Sequence, residues 1–162
     1  MHYITPQDLA RWYGTREIAD TASPDAGPII SSEQLQEAMQ TPSEDPVVIE
    51  AMNRVEDAIG QASRLMDSYL HRYTLPLDPG VVADTPLARV CGDLTRYLLH
   101  DDKPSEAIKE RYAAAIRWLE GVASGKVILG GAESPPLAAT GAGSPEFVAG
   151  STEFGASALQ GF

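Results

Sequence analysis

A glycine-flanked lysine, three histidines and one cysteine are the side chains of this chain whose types could carry catalysis or hold a ligand. Residues 121–126 read G-V-A-S-G-K, which superficially suggests a phosphate loop, but the spacing is one residue short and Val127 stands where the metal-binding hydroxyl belongs. The stretch also closes a helix pattern, and a helix C-terminus is the wrong end for an anion. His2, His71 and His100 do not fall at ligand spacing with one another, with the cysteine or with carboxylates, so solvated or helix-end histidines are the simpler reading. Cys91 sits on an apolar stripe, where cysteine behaves as a small buried hydrophobe, and no neighbour in sequence lowers its pKa. Asp101 and Asp102 read more simply as caps for a helix beginning at Pro104 than as catalytic carboxylates. Arg64, Arg72, Arg89 and Arg96 are spaced along two helices and fit a solvated face, intersubunit ion pairs or contact with a polyanion. No catalytic, cofactor-binding or metal-binding residue is therefore expected, and the chain reads as a non-enzyme.

Charge and composition narrow the class further. Twelve basic against 23 acidic side chains leave a net charge of -11 over 162 residues, which argues against a surface that grips nucleic acid and for solubility or a basic partner. The start of the chain lacks a basic segment followed by an apolar run, and no stretch reaches the roughly 18 apolar residues of a membrane span. A protein made in the cytosol is expected. The single cysteine excludes an internal disulfide and fits a reducing compartment.

The element that must position everything else is 46–73. Val48, Met52, Val55, Ile59, Ala62, Met66, Tyr69 and Tyr73 recur in alternating steps of four and three, the signature of one amphipathic helix about 42 Å long. Asp45 supplies an N-cap oxygen and Pro46 a first-turn proline. Ala51, Ala58 and Leu65 widen the stripe enough to pack on more than one helix, and Gly60 beside Ile59 would admit a neighbouring backbone. Before this helix, Thr5 and Pro6 open a short one bearing Leu9, Trp12 and Tyr13 that stops at Gly14, and Thr15 is expected to cap a second turn carrying Ile18. Ser31 with Gln34 opens another, bearing Leu35, Ala38 and Met39.

After it, 74–85 reads as a connecting loop with Pro76, Pro79 and Gly80. Helices are expected over 86–100, with Leu87, Val90, Cys91, Leu94, Tyr97 and Leu98, and over 104–124, with Ile108, Tyr112, Ala115, Ile116, Leu119 and Val122. Their short joint makes them antiparallel neighbours, and Gly125 stands where a left-handed cap belongs. Val55, Ile59, Leu94, Ile116 and Leu119 are the expected core. The fold class is all-α: a small helical bundle around one long central helix, residues 1–129, followed by a flexible C-terminal arm, residues 130–162.

That arm contains three acidic residues and no basic one, and its Gly, Ala, Ser, Pro and Thr cannot bury enough surface to offset the entropy of ordering. Phe147, Phe154, Leu159 and Phe162 nevertheless stand along it as spaced apolar anchors. Together with the short run Val127, Ile128 and Leu129, which could add as a strand to an exposed edge, they are the candidate partner-binding residues.

Several segments taken together resemble a known family: Y-I-T-P-Q-D-L at 3–9, D-S-Y-L-H-R-Y-T-L-P-L at 67–77, R-Y-L-L-H-D-D at 96–102, E-R-Y-A-A-A-I-R-W-L at 110–119 and S-G-K-V-I-L-G at 124–130. The chain resembles the small helical proteins of the head-morphogenesis region in Mu-like phages and prophages, which are similar to the head-tail connector, or adaptor, proteins of tailed phages. It departs from them over 23–46, which is longer than the family's turn, and in the absence of charged residues after the first phenylalanine of the ending. The resemblance implies a structural virion protein of the neck, present in the host cytoplasm during assembly. It would form a ring beneath the portal protein, dodecameric in the virion and free to be monomeric when isolated. Such a ring extends the DNA channel and receives a stopper or tail-completion protein, with genome DNA passing through without specific binding. No cofactor and no membrane are implied. The residues alone also admit a cytosolic helical regulatory or ligand-binding protein, which a closed apolar cavity in the bundle would mark, and, as a third class, an enzyme whose site the sequence does not display.

Overall fold

In the computed structural model, which describes residues 2–24, 27–101 and 103–131, the chain forms helices α1 (Pro6–Tyr13), α2 (Thr15–Ala22), α3 (Ser32–Ala38), α4 (Pro46–Tyr69), α5 (Pro79–Asp84), α6 (Leu87–Leu99) and α7 (Glu106–Ala123). There is no strand among the described residues. The architecture is the all-helical bundle that the apolar periodicity demands. Helix α4 lies at its centre and packs on α1, α2, α3, α6 and α7. Its stripe of Val48, Ala51, Val55, Ala58, Ile59, Ala62 and Met66 is buried.

Local chemistry sets most helix starts. The Thr5 hydroxyl accepts from the Asp8 amide while the Asp8 carboxylate accepts from the Thr5 amide, and Pro6 follows at the first helical position; this reciprocal cap satisfies two N–H groups with no partner inside the helix. Ser31 and Gln34 repeat the device on α3, and Asp45 accepts from the Val47 amide at the start of α4. Gly14, at φ 91°, ends α1 and precedes α2, so Thr15 is the first residue of α2 and not its cap.

Four further expectations are corrected. Helix α4 ends at Tyr69 and not at Tyr73: residues 70–73 form a turn in which Leu70 and Tyr73 stay buried, and apolar spacing alone does not distinguish such a turn from another turn of helix. The segment 74–85 is not all loop, because Asp78 caps Gly80, Pro79 leads, and Val81 and Val82 are buried on α5. Helix α7 begins at Glu106 after Ser105 and not at Pro104, and Asp101 takes φ 44° at the reversal between α6 and α7, a left-handed conformation that Asp tolerates; Asp102 lies outside the described residues. Among the described residues no neighbouring backbone approaches Gly60, over which the Arg64 and His2 side chains lie.

The core runs without a break from Tyr3 to Leu129. Val55, Ile59, Leu94 and Leu119 are each at most 1% exposed, whereas Ile116 is only half-buried, packed against the edge of the core. Every fully enclosed side-chain nitrogen and oxygen among the described residues has a hydrogen-bond partner.

Candidate interaction site on the α1, α2, α6 and α7 faces

The polar residues of α6 are not scattered. Arg89, Asp93, Arg96 and His100 fall at steps of four, three and four, so they share one side of the helix. The two short N-terminal helices lie across that side, and Gly14 turns the chain so that α1 delivers Trp12 and Tyr13 while α2 delivers Glu17.

The Arg96 guanidinium donates to both Glu17 carboxylate oxygens, at 2.5 and 2.8 Å, a bidentate charge-assisted pair. His100 Nε2 lies 3.0 Å from Glu17 Oε1. Burial pushes the Glu17 carboxyl up, but the hydrogen bonds and charges of Arg96 and His100 outweigh it and hold the group below the usual carboxylate range. One turn away, the Tyr13 hydroxyl donates to Asp93 at 2.8 Å, and burial followed by that bond drives the phenol above its ordinary value. Arg96 lies 4.8 Å from the Tyr13 ring centroid, and Arg89 lies 4.9 Å from that ring and 5.4 Å from that of Trp12. Each cation over an aromatic face contributes about 0.5–1 kcal/mol at an exposed site. Arg111 on α7 approaches Asp93 at 3.8 Å, with its side chain 52% exposed.

Arg89 and Arg96 are therefore not simply a solvated face: Arg96 is engaged within the chain, and Arg89 is held flat on aromatics while exposed and pairs with no carboxylate among the described residues. Arg72 donates to the Ala123 carbonyl at 3.4 Å, a cation at the C-terminus of α7, where the helix dipole favours it. Arg64 is exposed.

Two amides at the end of the phosphate-loop lookalike are bonded within the chain. Gly125, at φ 76°, donates to the Val122 carbonyl and Val127 to that of Gly121, both at 3.0 Å. Cys91 is buried, with the Ser63 hydroxyl 3.8 Å from its sulfur, and burial pushes its thiol up to about 11. Among the described residues no three His, Cys, Asp or Glu side chains converge in a way that could hold a metal.

The run 127–129 is not a strand. Val127 packs against the core, Leu129 is 2% exposed with its amide donating to the Tyr73 hydroxyl at 3.1 Å, and Ile128 alone points outward, 71% exposed. Apolar composition suited an edge strand and an irregular segment laid on the core equally, and the Tyr73 hydroxyl holds it as the latter. Phe147, Phe154, Leu159 and Phe162 lie outside the described residues. The Glu17–Arg96–His100 cluster was not visible as a unit in the sequence; its one local signal was the helical spacing of the polar residues on α6.

The chain belongs to the family described as Bacteriophage Mu, Gp36, whose model matches residues 3–146. It is similar to the Mu-like prophage FluMu protein gp36 of Haemophilus influenzae, with 38% identity over 78 residues, 48% of this chain and 53% of that protein. It is also similar to Gene product J of Escherichia phage Mu, with 35% identity over 92 residues, 56% of this chain and 59% of that protein. The chain thus spans between 53% and 59% of the length of these curated relatives. The four apolar anchors from Phe147 onward lie beyond the matched segment.

Proposed function

We propose that this phage protein has a structural assembly role and acts as a head-tail connector of the virion neck. It forms a ring on the portal protein, extends the DNA channel and presents a surface to a stopper or tail-completion protein. Membership in the Mu Gp36 family over 3–146 carries this reading. The bundle suits it: α4 supports five other helices as a rigid core, and a net charge of -11 lets DNA pass a channel wall without adhering. The chemistry is binding rather than turnover, with no cofactor in the reading.

In this reading the C-terminal arm, 130–162, docks on the portal or on a neighbouring subunit through Phe147, Phe154, Leu159 and Phe162, with Ile128 beside its root. A regulator that encloses a ligand in its core has less support. A cleft of about 220 Å³ between α1 and α3, bordered by Gln7, Ala10, Arg11, Thr15, Gln36, Met39 and Gln40, opens to solvent and is not enclosed within the core.

Electron microscopy of the protein mixed with its cognate portal is the decisive experiment. A ring of the portal's rotational symmetry seated on the portal is expected; absence of any complex at saturating protein overturns the reading. Deleting residues 151–162, or changing Phe154 and Phe162 to alanine, should weaken that complex and leave the melting temperature of the bundle unchanged. Full portal binding by both variants removes the arm from the proposal.

A further inference from the structure

The acidic charge of this chain is unevenly spread. Residues 17–53 carry eight acidic side chains and no basic one, while residues 87–126 carry seven of the twelve basic side chains beside six acidic ones. Glu17 pairs with Arg96 where α2 crosses α6, but the acidic side chains of α3 lie away from α7, since α3 packs on α2 and α4 whereas α7 packs on α4 and α6. On the acidic flank Glu33, Glu37, Glu44 and Glu50 are exposed, and among them stand two exposed isoleucines, Ile29 at 71% and Ile49 at 42%. On the other flank the exposed Arg89 and Arg111 are linked into one patch through Tyr13 and Asp93, with half-buried Trp12 beneath Arg89. Asp93 offers one negative charge against those two.

We propose that the Arg89–Trp12–Arg111 patch docks the acidic flank of a second copy of this chain, so that copies associate head to tail. Charge complementarity within a single sequence identifies the occupant: an acidic surface with apolar side chains meets a cationic surface laid over aromatics, and each copy carries both. Arginine and tryptophan are the residue types that anchor interfaces, and Arg89 is already held on its aromatic platform, so little side-chain freedom is lost on docking. Because the two flanks are different surfaces, the contact is heterologous and closes into a ring or runs on as a filament. The inference rests on the ring of the connector reading and locates its subunit contact.

The test uses the full chain in two folded variants, Arg89→Gln with Arg111→Gln, and Glu33→Gln with Glu37→Gln and Glu50→Gln, each checked for an unchanged helical spectrum. Sedimentation at about 1 mM protein, a concentration that detects millimolar contacts, is expected to show the unaltered chain associating at low salt and dissociating at about 0.5 M salt, where surface charges are screened. Each variant alone should associate at least tenfold more weakly. An equimolar mixture should give a one-to-one dimer and nothing larger, because each variant keeps one working flank. A monomeric unaltered chain at low salt, variants that associate as it does, or a mixture without heterodimer overturns the proposal. Portal binding distinguishes the two readings: head-to-tail association without portal binding sinks the connector and keeps this contact, and normal rings of both variants on the portal do the reverse.

Discussion

Gly92 of α6 lies directly beneath Trp12 of α1. A Cβ at Gly92 would come within 3.1 Å of the indole ring and of the Tyr13 hydroxyl, so the missing side chain is what lets the aromatic pair reach Arg89, Asp93 and Arg96. Gly92→Ala should gain about 0.4–1 kcal/mol from reduced backbone entropy and lose about 1–3 kcal/mol from overpacking. The expected outcome is a net loss of about 1 kcal/mol and a melting temperature lower by about 2–4 °C, measured by thermal denaturation, together with a shift in tryptophan emission as Trp12 is displaced.

Glu17→Gln removes the charge that holds Arg96 and His100. Hydrogen bonds to charged groups contribute about 1.5–3 kcal/mol, and the partly exposed position of Glu17, 28% for its side chain, places the loss at the low end. The sign with pH follows from the lowered carboxyl: the stabilisation is present above the unfolded carboxylate value of about 4.3 and disappears as pH falls through the lower folded value. Thermal melts between pH 7 and pH 3 should show the unaltered chain losing more stability than Glu17→Gln; parallel curves would show that the pair contributes nothing.

Ile59 and Ile116 separate a core position from its margin. Ile59 is 1% exposed, and Ile59→Ala should cost about 2–5 kcal/mol in chemical denaturation. Ile116 is half-buried and should cost clearly less. Equal losses would mean that Ile116 is covered in solution by another surface.

Cys91 should be inert in the native protein. With the thiol pushed up to about 11 by burial, thiolate is scarce at pH 8 and a disulfide-exchange reagent should modify it only on unfolding. Because the folded value is raised, the stability tied to the neutral thiol is complete below the unfolded value of about 8.5 and falls as pH rises towards about 11. Fast modification of the folded chain at pH 8 would contradict this burial.

The sequence by itself determined the helical class, the centre of the bundle and the starts of α1, α3 and α4, because these are local properties. A 3.6-residue period in apolar residues is written along 46–69, and Thr5–Asp8, Ser31–Gln34 and Asp45 carry their capping partners within three residues. The identity of the functional surface was not local. Glu17 and Arg96 stand 79 residues apart, and nothing in either neighbourhood pairs them; the crossing of α2 over α6 does. The same holds for Leu129, whose amide meets a hydroxyl 56 residues away, and for α5, whose two buried valines became a helix because a neighbouring surface was there to cover them. Periodicity tells which face of a helix avoids water. Which polar groups then face one another depends on how whole helices cross, and in this chain only the tertiary structure decided that.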